Sequence, residues 1–182
     1  MKGIILCLFF TVFFIAARSQ EIGFNTTDIG GEFQWYNKGA VFNLQLAFNA
    51  KIHHSFLLRA GYNNAKLQRT TTHDSEEGGG FGGGLGYRYY FKPFPYKFFI
   101  GTRVDLWKMD ITWRKTLIEG STNLWTMQPA LEAGYTVVIN DNFFFTPYVA
   151  AGTQVNLKTE GEKVGSGDGF IFLPGISAGI RF

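Results

Sequence analysis

The residues of this sequence best suited to chemistry are its histidines and the carboxylates close to one of them. His73 is followed by Asp74, Glu76 and Glu77, a set that in isolation could bind a divalent cation. An imidazole beside a serine and a carboxylate could also form a nucleophilic triad. However, one predicted turn contains two of the histidines and a polar loop contains the third, away from any strand serine. We therefore expect no catalytic, cofactor or metal site, and we expect His73 to lie in an exposed, solvated loop.

A glycine-rich stretch at residues 78–86 has the composition of a phosphate-binding loop but not its context. No Gly-Lys-Ser/Thr follows it, and no helical pattern begins there. We expect a bend where a strand leaves its loop. Within that strand, Gly82, Gly84 and Gly86 should leave space for long side chains from neighbouring strands.

The elements that must position these residues are strands. Short turns alternate along the chain with longer polar loops, which are predicted at residues 69–80, 114–123 and 159–169. Transmembrane barrels have short periplasmic turns and longer outer loops. The sequence therefore predicts an all-β fold, an eight-stranded antiparallel up-and-down transmembrane β-barrel. Its strands are predicted at about residues 29–36, 41–52, 55–68, 81–91, 98–113, 124–139, 143–158 and 170–182.

The two faces of each predicted strand differ in polarity. In the second strand Phe42, Leu44 and Leu46 share one face, whereas Asn43 and Gln45 share the other. Strand side chains alternate between faces, so lipid outside and a polar lumen inside account for this pattern. A soluble sandwich or lipocalin would hide the apolar face. In the fifth strand, residues 108–113 change this pattern, as expected where a strand projects beyond the bilayer.

Six inward-facing charged residues lie near mid-depth on five of the predicted strands. An eight-stranded barrel is only wide enough for side chains to fill its interior. Because unpaired charges there are costly, we expect a hydrogen-bonded ion-pair network that plugs the lumen, in preference to a selectivity filter. With Lys51 and Arg181 the inward charge is slightly positive, so any residual pore should mildly favour anions. The predicted network comprises Glu32, Arg59, Arg88, Arg103, Asp105 and Glu132.

Aromatic residues cluster at the two ends of the predicted strands, as membrane interfaces favour. The predicted outer girdle comprises Trp35, Trp107, Trp113 and Trp125. The predicted periplasmic girdle comprises Phe91, Phe98, Phe143, Phe145 and Phe182.

The N-terminal residues have the pattern of a secretory signal. Lys2 precedes an apolar run of 13 residues, residues 4–16, and small residues precede a cut expected before Gln20. We therefore predict a signal peptide at residues 1–19 and one barrel domain at 20–182. Without Lys2 and Arg18, Lys+Arg falls from 17 to 15 against 14 Asp+Glu, a net charge of about +1. This near-neutral charge gives no reason to expect nucleic acid as a partner.

These features together resemble the small bacterial outer-membrane barrels typified by OmpX, OmpW and the transmembrane domain of OmpA. The resemblance rests on the signal sequence, the amphipathic strands, the polar interior and a C-terminal strand that ends in Phe182. It covers residues 20–182 without a short diagnostic motif. It implies a Gram-negative outer membrane, contact with its lipid and lipopolysaccharide, and insertion by the barrel assembly machinery through the C-terminal strand.

Three classes of function are compatible with this pattern. The favoured one is a non-enzymatic structural or interaction barrel with a largely plugged lumen and a possible protein partner at the outer loops. The alternative is a passive pore for small solutes or a channel for hydrophobic ones. This would need a wider lumen or a lateral gap near strands that contain Pro129, Pro147 and Pro174, where we expect ladder breaks. An enzyme ranks third.

Overall fold

The chain forms eight long antiparallel strands. A computed structural model describes residues 24–50, 53–68, 73–92, 97–116, 118–140 and 142–182. The predicted signal peptide and Lys51 lie outside these residues. In the described ranges no helix is long and apolar enough to span a bilayer. The strands are β1 Phe24–Tyr36, β2 Gly39–Ala50, β3 His54–Gln68, β4 Ser75–Tyr90, β5 Lys97–Lys115, β6 Ile118–Ile139, β7 Phe143–Glu160 and β8 Gly169–Arg181.

Each strand pairs with the next in the chain, and β8 pairs with β1 to close the barrel. At the closure, Thr27 and Phe182 exchange two backbone hydrogen bonds of 2.9 Å each. Beside them, Arg181 donates to both carboxylate oxygens of Asp28 at 2.6 Å. The predicted eight-stranded up-and-down barrel is therefore confirmed.

The alternation of faces places apolar side chains outside and polar side chains inside. On β2, Phe42 and Leu44 are exposed, whereas Asn43 and Gln45 are buried. The same alternation on β8 exposes Ile180 and buries Arg181. An exterior with this much exposed apolar surface exceeds what a monomeric soluble protein normally presents to water. The barrel therefore has the outer surface that a lipid bilayer would solvate.

Three predicted outer loops are shorter than expected because the strands continue through them. Residues 75–80 belong to β4, β5 continues to Lys115, and β6 begins at Ile118. Beyond the apolar band, the outward side chains Lys108 and Asp110 are polar and exposed, while Met109 and Ile111 face inward. Within lipid the outward side chains are apolar and the inward ones are polar. A strand surrounded by water needs the opposite arrangement, with polar side chains outward. The polarity that suggested a loop is that of a strand outside a membrane.

Two of the four tryptophans predicted for the outer girdle face the lumen instead. Trp35 and Trp125 are about half exposed, but Trp107 and Trp113 are buried. Strict alternation along β5 explains the error, because Trp107 and Trp113 share the face of Arg103 and Asp105. All five aromatic residues predicted for the periplasmic girdle are exposed at the other end of the barrel.

The pairing of β6 with β7 is interrupted at two places. It stops between Met127 and Ala130, beside Pro129, and again between Gly134 and Val137, opposite Pro147. Proline lacks the N–H that a ladder needs, which explains the predicted breaks. Pro174 on β8 pairs with Val149 on β7 without a break. The pairing of β8 with β1 ends at the next residue, Gly175, so Pro174 has no partner on β1.

Candidate functional site in the barrel lumen

The six predicted lumen charges meet in one chain of alternating sign. Arg59 Nη1 lies 3.4 Å from Glu32 Oε1, and Arg59 Nε lies 4.0 Å from Asp105 Oδ1. Arg103 continues the chain, with Nε 3.3 Å from Asp105 Oδ2 and Nη1 3.9 Å from Glu132 Oε2. All five side chains are almost completely inaccessible to solvent.

Arg88 completes this chain from β4. Its Nε donates to Glu132 Oε1 at 2.7 Å. Its guanidinium carbon also lies 4.5 Å from the centre of the Phe99 ring and 5.5 Å from that of Tyr148. Three arginines thus face three carboxylates, so the formal charges of the six residues sum to zero. We call these six residues the ion layer.

Amide side chains form hydrogen bonds with two members of the ion layer, Glu32 and Arg103. Asn43 Nδ2 donates to Glu32 Oε1 at 2.8 Å, and Gln34 Nε2 donates to the same oxygen. Arg103 Nη2 donates to Gln34 Oε1 at 2.6 Å. The predicted network contains charged residues alone and therefore omits Gln34 and Asn43, although both belong to the inward face that alternation predicts.

Inward glycines of β4 give the ion layer its space, as predicted. Gly84 lies opposite Arg59 on β3 and Asp105 on β5, and a Cβ at Gly84 would meet Asp105 Oδ1. A Cβ at Gly86 would lie 2.9 Å from Arg59 Nη2. The long side chains therefore extend over a strand that has none of its own at these positions.

A cluster of buried apolar side chains also lies inside the barrel. Trp107 is its largest fully buried side chain, and its Nε1 donates to Gln128 Oε1 at 2.9 Å. Met109 and Ile111 follow it along β5 and are fully buried. We call this cluster the apolar layer. Its residues are Tyr36, Val41, Ala65, Trp107, Met109, Ile111, Trp113, Leu124, Ala130, Ala150, Val164, Ile171 and Leu173.

The β7–β8 connection packs against the apolar layer at the outer end of the barrel. This connection, residues 161–168, contains one 3₁₀ turn, Gly165–Gly167, and we call it the outer strap. Val164 inserts into the apolar layer and is 2% exposed. Gln154 Nε2 donates to the carbonyl of Ser166 at 2.5 Å and receives a 3.0 Å hydrogen bond from Gln128 Nε2.

Glu76 and Lys38 hold the outer strap by its backbone. The N–H groups of Gly165 and Ser166 donate to Oε1 and Oε2 of Glu76, each at 2.9 Å. Lys38 Nζ donates to the carbonyls of Gly165, at 3.3 Å, and Asp168. Burial lowers the pKa of the Lys38 ammonium, and the carboxylates of Asp168 and Glu76 oppose that shift.

The expectation of a wholly solvated loop around His73 is wrong for two of its residues. His73 and Glu76 are buried, whereas Asp74 and Glu77 are exposed. His73 Nδ1 lies 3.0 Å from Glu76 Oε1 and Nε2 lies 3.6 Å from a Glu162 carboxylate oxygen. The imidazole also stacks on Trp113, with ring centres 4.6 Å apart. His73 therefore connects Glu76 on β4 with Glu162 in the outer strap.

Comparison with known proteins identifies the fold but no family. No protein-family model matches the chain, and no curated protein matches it. The N-terminal β-barrel domain of Pseudomonas aeruginosa OprF is 14% identical, covering 88% of this chain and 99% of that domain with a TM-score of 0.53. The attachment invasion locus protein Ail of Yersinia pestis is 10% identical, covering 86% of this chain and 97% of that one with a TM-score of 0.52. The chain therefore has the fold of the small eight-stranded outer-membrane β-barrels.

Proposed function

We propose that this chain is a non-enzymatic integral barrel of a Gram-negative outer membrane, with a structural or interaction role. The observation that carries the proposal is the combination of an apolar exterior with charged and apolar side chains buried inside the barrel. A conducting barrel needs a continuous polar path, and here the ion layer, the apolar layer and the outer strap lie in series. Outer-membrane lipid and lipopolysaccharide would surround the wall, and the barrel assembly machinery would insert the chain through its C-terminal strand.

The balanced charge of the ion layer argues against ion selectivity. Glu32, Asp105 and Glu132 match the three arginines, and Arg181 beyond them is paired with Asp28. A selectivity filter uses an excess of one sign. The ion layer instead neutralises itself and leaves the outer strap and the strand tips as the surface for a protein partner.

A passage for hydrophobic solutes is the second candidate, and one observation favours it. The break in β6–β7 pairing beside Pro129 lies next to Gln128, level with Trp107 in the apolar layer. A solute that displaced the outer strap would first contact the apolar layer. It would then reach the part of the barrel wall where two residue pairs between β6 and β7 are missing. This function requires the outer strap to open, which the closed role does not.

The test is expression of the full chain in a Gram-negative host, followed by membrane fractionation, heat-dependent gel mobility and planar-bilayer conductance. We expect a folded, heat-modifiable barrel in the outer membrane that gives no steady openings. Glu132→Gln should remain silent because the apolar layer still closes the lumen. Glu132→Gln combined with Trp107→Ala should conduct. Steady openings of the unmodified chain would overturn the closed role, and uptake of an apolar dye that requires release of the outer strap would favour the second candidate.

A further inference from the structure

A basic row crosses the outer surface of β5, β6 and β7. Lys108 on β5 pairs with Trp125 on β6, and Trp125 pairs with Lys158 on β7. All three side chains are exposed. The row therefore presents two ammonium groups, with an indole between them, on the outside of the barrel.

A β-bulge produces this row. The β6–β7 register shifts between Trp125 and Thr126, because Thr126 pairs with Asn156 and Trp125 pairs with Lys158. Without the extra residue on β7, Leu157 would lie opposite Trp125. Bulges of this kind re-aim side chains. Here the bulge replaces an apolar neighbour of the indole by a second ammonium group.

The basic row lies at the outer boundary of the apolar band. Phe98, in the periplasmic girdle, and Lys108 are both on the outward face of β5, ten residues apart. Ten strand residues span about 33 Å along the strand, or about 25 Å in depth for a tilted strand. The apolar band of an outer-membrane barrel is also about 25 Å tall. The two lysines therefore lie where the outer leaflet places its charged groups.

The basic row lines a polar pocket that already holds an anionic group. The pocket has a volume of about 270 Å³, and both lysines, Trp125, Asn123 and Glu160 line it. Lys158 Nζ lies 2.5 Å from Glu160 Oε1. Hydrogen bonding and charge from Lys158, with a smaller contribution from Lys108, lower the pKa of the Glu160 carboxylate. This ion pair is highly exposed, and exposed pairs are weak, so an anionic ligand can take the place of Glu160.

A second pocket also has Lys158 in its lining. Its volume is about 380 Å³, and Lys163 of the outer strap lines it together with Asn156 and Thr159. Asp168, the acidic residue of this lining, accepts a 2.8 Å hydrogen bond from the N–H of Asn156. Two pockets that share one lysine suit a ligand with several acidic and hydroxyl groups, as in a phosphorylated saccharide.

Below the basic row the outward side chains are apolar. Leu106 and Val104 on β5, Leu131 on β6 and Val155 on β7 are all exposed. Hydrocarbon chains attached close to the bound anion would lie along these side chains. The surface as a whole therefore matches an amphiphile whose anionic groups and acyl chains are carried by the same sugars.

We infer that this surface binds the lipid A part of lipopolysaccharide, an acylated and phosphorylated glucosamine disaccharide, with one phosphate between Lys108 and Lys158. The inference rests on the proposed membrane location, because lipopolysaccharide forms the outer leaflet of that membrane. The phosphate replaces Glu160 at Lys158, and a sugar ring packs on the exposed face of Trp125. Acidic core sugars, which extend away from the membrane, would lie beside Lys163.

A binding titration by native mass spectrometry tests this inference. The full chain is purified from the outer membrane into detergent micelles, and diphosphorylated lipid A is added in increasing amounts. One lipid A should bind at a saturable site. Lys108→Gln with Lys158→Gln should weaken this binding about ten-fold or more, because two charge-assisted contacts are lost. Lys66→Gln with Lys115→Gln is the matched control, since it removes two exposed lysines that do not line the pocket, and it should leave the affinity unchanged.

Glu160→Gln separates competition for the lysines from a merely structural role. Because Glu160 occupies the position of the phosphate at Lys158, its neutralisation should strengthen the binding of lipid A several-fold. Weaker binding by this variant would overturn the proposed arrangement. Trp125→Ala should reduce the affinity, whereas Trp125→Phe, which keeps an aromatic face, should retain most of it.

Two altered ligands show which part of lipid A is recognised. Lipid A without its phosphates should bind the unmodified chain as weakly as diphosphorylated lipid A binds the double lysine variant. A fully deacylated saccharide that keeps its phosphates should also bind weakly. Affinity of that saccharide equal to that of intact lipid A would overturn the lipid site and favour a soluble acidic glycan as the ligand.

The failure of this inference differs from the failure of the proposed function. Absence of the folded chain from the outer membrane would contradict the proposed function. A chain that is found there, but whose affinity for lipid A is the same in the double lysine variant and in its matched control, would overturn the lipid A site alone.

Discussion

Arg88 and Glu132 form a 2.7 Å ion pair although they lie on β4 and β6, with β5 between them. Gly101 on β5 is the residue that pairs with both. A Cβ at Gly101 would lie 3.1 Å from Cγ and Oε1 of Glu132. The ion pair therefore crosses a strand because that strand has no side chain at this row.

Replacing Gly101 by Val should lower the free energy of unfolding by about 1–3 kcal/mol, because the added side chain occupies the path of the Arg88–Glu132 pair. The measurement is urea unfolding of the barrel in lipid vesicles. Gly31→Val is the matched control, since a Cβ at Gly31 meets nothing within 4 Å. Equal losses of unfolding free energy in the two variants would contradict the conclusion that Gly101 leaves space for the Arg88–Glu132 pair.

Glu132→Gln should cost about 3–5 kcal/mol of unfolding free energy, because it leaves Arg88 and Arg103 with an uncompensated buried charge. Glu119→Gln removes the partner of Arg114 from an exposed pair and should cost less than about 1 kcal/mol. Both are measured by the same unfolding experiment. A loss at Glu132 as small as that at Glu119 would show that the ion layer contributes little to stability.

Glu76→Gln should release the outer strap. In Glu76, both carboxylate oxygens accept a 2.9 Å hydrogen bond, one from the N–H of Gly165 and one from that of Ser166. Glutamine has an NH₂ group in place of one oxygen, and this group cannot accept, so one of the two hydrogen bonds is lost. The expected result is faster tryptic cleavage after Lys163 in an otherwise intact barrel. Glu77→Gln, a change to the exposed neighbour, should leave the cleavage rate unchanged. Equal rates for the unmodified chain and both variants would refute the role of Glu76 in holding the outer strap.

The stability of the barrel should rise with pH in an alkaline window that ends near 10.5, the ordinary pKa of lysine. Because burial lowers the pKa of Lys38, the unfolded chain binds more protons than the folded one between the two pKa values, and stability then increases with pH. Lys38→Met should flatten this part of the profile. The check is urea unfolding of both proteins across that window, and an unchanged slope in Lys38→Met would assign the effect to other groups.

The spacing of turns and loops predicted the barrel, and alternation along its strands predicted the lumen residues. Arg59, Arg103 and Glu132 were assigned inward from their neighbours' polarity, and their side chains meet there. The same rule places Trp107 inward, yet its aromatic character favoured a membrane girdle. The residue type of Trp107 led to the wrong position, whereas alternation gives the correct one. An indole side chain is compatible with an apolar lumen as well as with a membrane interface.

The outer strap could not be predicted from the sequence. Glu76 accepts from Gly165 and Ser166, which are 89 and 90 residues away. No periodic pattern connects residues so far apart, and a glutamate beside His73 and Asp74 has the composition of a solvated loop. Burial of these groups depends on how the strand ends converge, which only the closed barrel defines.

The bidentate pair between Asp28 and Arg181 has a consequence for how the chain reaches its folded state. It joins positions 153 residues apart, and the β1–β8 seam around it can form only after β8 has been synthesised. Until then β1 keeps an unpaired edge, which is prone to aggregate with other chains. Contacts of such long range also fold slowly. A chaperone that shields strand edges during transit should therefore raise the yield of this barrel, more so than for a protein whose first elements can fold during synthesis.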